Sequence, residues 1–198
     1  YIYRLIKKRI SNLKNKIRTV EGKIQLFKFN ENMLPLPTEI EISESGTCNR
    51  SCSFCPRSTV GFEDKKEFIS NELHQKLCDQ LKEIDYEGTI RYSGFVEPLL
   101  DKNIFNLIDM ARQYLPKVNI EMVTNGDPLN LKRLNKLFEV GLNKILISAY
   151  DSKEDADNLE NLCKKANLDE NQYIVRHRYY SEDRDFGITL SNRAGLME

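Results

Sequence analysis

Apolar residues in this chain recur at two periods, and the switching between them predicts its architecture. From the start, Ile2, Leu5 or Ile6, Ile10, Leu13, Ile17, Val20 and Ile24 fall three or four apart, which makes one stripe on an amphipathic helix. Pro35 and Pro37 then mark residues 30–38 as an extended linker, because proline lacks a donor N–H and turns its predecessor away from helix. Residues 39–43 alternate charged and apolar, with Ile40 and Ile42 on one face, as a strand does. Residues 57–69 read as irregular and polar. Ser70 can cap a helix running to about Ile84, whose apolar face is Leu73, Leu77, Leu81 and Ile84.

From there a strand–loop–helix unit repeats. Strands are predicted at 89–93, 118–123, 144–149 and 173–179, with a sixth at 188–191. Helices are predicted at 103–115, at 131–140 with Gly141 in the stopping position, and at 153–166, where Ser152 and Asp155 form an acidic variant of the capping box. Strands alternating with helices predict an α/β fold, a parallel sheet with right-handed crossovers.

Between the first strand and the first of these helices lies T-C-N-R-S-C-S-F-C-P, residues 47–56, with thiols at Cys48, Cys52 and Cys55. A tight loop can bring three such cysteines to one point, but they supply only three ligands. An ordinary iron–sulfur cluster takes four thiolates and a structural zinc site is closed by four ligands. The remaining cysteines, Cys78 and Cys163, and both histidines, His74 and His177, are far along the chain. The loop therefore predicts a cluster with one iron left open. Cys78 and Cys163 sit beside apolar stripes and read as small buried hydrophobes, His74 as a surface residue and His177 as a surface or core histidine.

The C-x3-C-x-F-C loop resembles that of the radical S-adenosylmethionine (radical SAM) enzymes. The resemblance implies a [4Fe-4S] cluster on Cys48, Cys52 and Cys55, whose open iron is chelated by the amino and carboxylate groups of the methionine part of S-adenosyl-L-methionine. Reductive cleavage of that cofactor gives a 5′-deoxyadenosyl radical that abstracts hydrogen from a substrate. It also implies a partial (β/α)6 TIM-like barrel, with ligands gathered at the carboxyl ends of the strands. Phe54, the aromatic before the third cysteine, packs the adenine side in this picture. Ser93-Gly94-Phe95-Val96-Glu97-Pro98 resembles the family's G-x-G-E-P segment, which implies that Gly94 and Glu97 meet the methionine amino group. Val96 stands where relatives often have glycine, and because valine resists positive φ it is expected in an ordinary backbone region. Thr124-Asn125-Gly126 is similar to the family's T-N-G, implying that Thr124 or Asn125 faces the ribose, and Ser148 stands where relatives contact the cofactor. Arg176 and Arg178 share a strand face. Either guanidinium can hold the methionine carboxylate, with Arg178, nearer the strand end, preferred. Ser191-Asn192-Arg193-Ala194-Gly195 resembles the run that precedes a cysteine-rich SPASM or twitch extension, absent from this sequence.

Composition narrows the class without changing it. Forty per cent apolar and 30% charged residues suit a globular protein, and the 198 residues allow one core domain at 35–198 after a basic segment at 1–34. Tyr1 in place of Met, and an end directly after the N-R-A-G run, lead us to expect a fragment. No apolar run reaches the ~20 residues of a membrane span. Five cysteines, three of them in one loop, do not read as a disulfide framework, so a cytoplasmic, reducing compartment is expected. The first 30 residues carry nine Lys or Arg against Glu21 alone, so the otherwise balanced charge is polarised. Three readings of that basic helix stay open: packing on the main domain or another helix, then membrane-surface contact by residues 1–28, then an acidic or nucleic-acid partner. Arg50, within the cysteine loop, and Arg57, just after it, read as solvated. A reductant such as flavodoxin or ferredoxin is implied. Modification of a peptide or protein side chain is the first expectation for the reaction and small-metabolite or sugar chemistry the second, oxidoreductase-like or transferase-like. A non-catalytic Fe–S or metal-binding module is the alternative from another class.

Overall fold

The computed structural model describes Phe29 and residues 35–179. The chain divides into a unit over Tyr1–Thr38 and a unit over Glu39–Glu198. In the first, Phe29 forms an antiparallel bridge with Pro35. The helix expected over residues 1–28, the sixth strand at 188–191 and the run at 191–195 lie outside the described residues.

The second unit contains β1 (Glu39–Ile42), β2 (Ser45–Gly46), β3 (Lys65–Phe68), α1 (Asn71–Glu83), β4 (Thr89–Tyr92), α2 (Ile104–Tyr114), β5 (Asn119–Thr124), α3 (Leu131–Glu139), β6 (Lys144–Ala149), α4 (Lys153–Lys165) and β7 (Tyr173–His177). Five strands form one sheet in the order β1-β4-β5-β6-β7, every neighbouring pair parallel. An order that advances one way through right-handed crossovers puts every helix on the same face. Burial follows that rule. Ile90 and Tyr92 of β4, Ile120 and Met122 of β5, and Ile145 and Ile147 of β6 are buried in one core with the inward stripes of all four helices. The alternate positions face the other way, and there Arg91 reaches Glu39 and Glu121, the latter at 2.7 Å. The sheet is thus apolar toward its helices and polar toward the side a partial barrel would enclose.

The predicted caps are in place: the Ser70 hydroxyl accepts from Leu73 N at 3.1 Å, and that of Ser152 from Asp155 N at 3.0 Å. Two expectations are corrected. Residues 57–69 are not wholly irregular, since β3 lies within them and pairs antiparallel with β2. Its four residues are all exposed, so no burial alternation marks it. His74 is not a surface residue: it is fully buried, its Nε2 2.8 Å from the Tyr92 hydroxyl and its Nδ1 3.4 Å from Met110 Sδ. One helical turn on, Cys78 lies buried with its thiol 3.7 Å from the same imidazole, and Cys163 is buried as expected. Burial pushes both thiols up to about 11, as suits packing rather than chemistry.

Burial also holds His74 neutral, with its pKa lowered to about 4 from an ordinary 6.5. As pH falls, the unfolded chain therefore binds the proton first. The stability that neutral His74 confers is present in full above 6.5 and is lost progressively toward pH 4. We expect the difference in unfolding free energy between wild type and His74→Gln to shrink by on the order of 3 kcal/mol between pH 7.5 and pH 4. Urea unfolding at several pH values checks this, and a difference constant over that range would refute it.

Candidate functional site

The three cysteines occupy a segment with few main-chain bonds of its own. Cys55 N donates to Cys52 O and Ser58 N to Cys55 O, both at 2.9 Å, and Pro56 opens a single 3-10 turn over Pro56–Ser58. These turns place Cys48, Cys52 and Cys55 on the wall of a cavity of about 140 Å³ at the carboxyl ends of β4, β5 and β6. All three thiols are free and partly buried. Burial pushes the thiols of Cys48 and Cys52 above their ordinary range. Cys48 Sγ accepts from Arg50 N at 3.4 Å, and the Asn125 side-chain amide lies 3.9 Å away.

Glu97 joins this loop to two strand ends. Its backbone N donates to Thr47 O at 3.0 Å, next to the first cysteine. Its carboxylate, only 1% exposed, accepts from the Thr124 hydroxyl at 2.6 Å, Asn125 N at 2.7 Å and Leu99 N at 3.1 Å. Burial raises the Glu97 pKa and the three donors oppose the rise, so its oxygens are met by protein donors where water cannot solvate them. Gly94, just upstream, has φ +127°, and a Cβ there would lie 2.1 Å from Ser43 Oγ. Ser43 Oγ in turn donates to Ser93 O at 3.0 Å. Only glycine fits that turn. Val96 is not among the residues with positive φ, as expected for a β-branched side chain.

Arg50 and Arg57 are not solvated, which corrects their reading. The Arg50 guanidinium donates twice to Asp127 and twice to Asp151, at 2.5–2.7 Å. Arg57, its side chain 6% exposed, pairs with Asp64 and donates to Gly46 O at 3.2 Å and Phe95 O at 3.1 Å. Arg50's aspartates and Arg57's contact at Phe95 are too distant in sequence to be anticipated. Local composition could not show them.

With this arrangement in view, residues 42–177 match the family model described as the radical SAM superfamily. The chain belongs to the radical SAM superfamily. It is 34% identical over 111 residues to the S-adenosyl-L-methionine-dependent 2-deoxy-scyllo-inosamine dehydrogenase of Niallia circulans, covering 56% of this chain and 44% of that protein. It is 31% identical over 145 residues to the GTP 3',8-cyclase of Staphylococcus haemolyticus (strain JCSC1435), covering 69% and 42%. Among solved structures, the crystal structure of BtrN in complex with AdoMet and 2-DOIA superposes with a TM-score of 0.66 at 28% identity, over 82% of this chain and 63% of that one. The chain spans under half the length of these two curated relatives.

Radical SAM enzymes use a [4Fe-4S] cluster and S-adenosylmethionine. Among the described residues, no three His, Cys, Asp or Glu side chains are gathered as a ready-made site for one ion. The donor set suits a larger group: three soft sulfur donors on one cavity wall, with no other cysteine or histidine lining it. Of the other positions singled out from sequence, Phe54, Gly94, Glu97, Thr124 and Asn125 line the same cavity, whereas Ser148 and Arg178 do not. Both of these bear on Tyr150, a cavity residue that sequence reasoning missed. Burial chiefly raises the Tyr150 pKa, and the neighbouring Ser148 side chain and the charge of Arg178 oppose that rise. The Tyr150 ring meets that of Phe54 at 5.5 Å between centroids. Its signal in the sequence was position alone, two residues past Ser148 at a strand's carboxyl end.

Glu97→Gln keeps the shape of this cross-link but removes the charge and sets an amide against existing donors. We expect it to cost about 2–3 kcal/mol, a Tm lower by roughly 5–10 °C in differential scanning calorimetry. An unchanged Tm would show that the carboxylate does not hold the strand ends together.

Proposed function

We propose that the chain is the cofactor-binding core of a radical SAM enzyme, with Cys48, Cys52 and Cys55 holding the [4Fe-4S] cluster. The observation that carries this is three free thiols on one cavity wall, with no other cysteine or histidine among the described residues that line it, beside the Glu97 cross-link. When bound, cluster and S-adenosylmethionine supply a 5′-deoxyadenosyl radical by one-electron reductive cleavage. The protein's own residues bind, orient and exclude water. Phe54 and Tyr150 offer aromatic faces to an adenine, and Gly94 lets the backbone come close to the methionine end. Thr124 and Asn125, held by Glu97, face the ribose. Ser148 and Arg178 lie outside the cavity lining and tune Tyr150 from the ends of β6 and β7.

For the substrate we propose a small, hydroxylated molecule in place of a peptide. Support comes from the relative named as a 2-deoxy-scyllo-inosamine dehydrogenase and from the polar sheet face bearing Glu39, Arg91 and Glu121. Flavodoxin or ferredoxin would deliver the electron. No helix among the described residues is long and apolar enough to cross a membrane. A reducing cytoplasm suits free thiols and a cluster near the surface.

Anaerobic reconstitution with iron and sulfide, followed by dithionite and S-adenosylmethionine, tests the reading. About four irons per chain and accumulation of 5′-deoxyadenosine are expected. Cys52→Ala should lose the cluster while Cys78→Ala and Cys163→Ala keep it. A full cluster that never cleaves the cofactor would favour the non-catalytic module, and iron retained in Cys52→Ala would refute the ligand assignment.

A further inference from the structure

Arg50 lies between two cysteines of the loop, yet its side chain is spent on two other loops. Asp127 and Asp151 lie in the loops that follow β5 and β6, so two successive βα loops each present a carboxylate to the cysteine loop. One guanidinium takes both, Nε and Nη2 on Asp127, Nη1 and Nη2 on Asp151. A planar fork can do this and an ammonium cannot. The contact is reinforced on each side. Asn49 Nδ2 donates to Asp127 at 2.6 Å and Asn125 Nδ2 to Asn49 Oδ1 at 2.7 Å. The Arg50 guanidinium also lies 5.7 Å from the centre of the Tyr150 ring, which meets Phe54 at the far end of the same loop.

We infer that Arg50, Asp127 and Asp151 form a latch that fixes the cluster loop against the β5 and β6 loops and sets the electrostatics of the cluster. The inference rests on the proposed cluster binding at Cys48, Cys52 and Cys55. The latch acts in two separable ways. Geometrically, it gives a segment with few main-chain bonds a defined position before any cluster is inserted. Electrostatically, one positive and two negative groups leave a net negative charge beside the thiolates, and negative charge nearby makes a cluster harder to reduce. This reverses what an arginine in the loop suggests when taken alone. Arg50 is a positioning residue, since its guanidinium is engaged by the aspartates.

Three proteins test this beside the wild type: Arg50→Lys, which keeps the charge and loses the fork, Asp151→Asn, and Asp127→Asn. Before reconstitution, amide hydrogen exchange over residues 48–56 should quicken in Arg50→Lys while the β4–β6 core stays protected. After reconstitution, loss of iron to a chelator should be roughly tenfold faster in Arg50→Lys, the effect of losing a charge-assisted bidentate contact. The midpoint potential, followed by electron paramagnetic resonance, should move positive in both Asn variants and stay near wild type in Arg50→Lys. Asp151 is mostly exposed, so Asp151→Asn is expected to fold even if Asp127→Asn does not. Wild-type chelation rates in Arg50→Lys together with unmoved potentials in Asp151→Asn would overturn the latch. A wild-type chain that takes up no cluster would instead overturn the binding reading on which it rests.

Discussion

A carboxylate buried beneath three donors is the constraint around which this site is built. Glu97 cannot be solvated where it lies, so its oxygens must be met by Thr124, Asn125 and Leu99. In meeting them it ties the loop after β4 to the end of β5. Its own backbone N is given to Thr47, one residue before the first cysteine. A loop of three thiols has too few internal bonds to fix itself. It is positioned from outside, by Glu97 beneath, by Arg57 on the side of β2 and the Gly94 turn, and by Arg50 across the β5 and β6 ends.

The sheet divides labour in the same way. Its helix-facing residues make an apolar core continuous through all four helices, and this supplies the rigidity that strand-end side chains need. Its other face is polar and partly ion-paired. Rigid strands ending in flexible chemistry is the usual economy of parallel α/β proteins, where ligands collect at carboxyl ends. Here three successive ends converge on one small cavity. Membership of the radical SAM superfamily gives that convergence its chemical meaning, and the proposed role of each residue follows from which strand end carries it.

Much of this was readable from the residues. The two hydrophobic periods located the five parallel strands and four helices among the described residues to within a residue or two, because most of them bury one face and leave a pattern. The cysteine spacing pointed to the cluster loop, and the strand-end segments led to Glu97, Thr124 and Asn125. What escaped was long-range or unpatterned. The strand β3 is exposed along its whole length and shows no alternation. His74 looked like a surface residue because its partners, Tyr92 and Met110, come from other elements. Arg50 and Arg57 were misread for the same reason, since Asp127, Asp151 and Phe95 adjoin them only after folding. Arg178 and Ser148 were placed against the cofactor by resemblance; neither lines the cavity, whereas Tyr150, unmarked in the sequence, does.

The central claim is that three thiolates hold a cluster whose remaining iron takes S-adenosylmethionine. Electron paramagnetic resonance of the reduced, reconstituted chain, recorded before and after adding that cofactor, tests it most directly. The account predicts a [4Fe-4S] signal whose shape changes as the cofactor coordinates iron. A fully loaded cluster with a signal indifferent to saturating S-adenosylmethionine would contradict it.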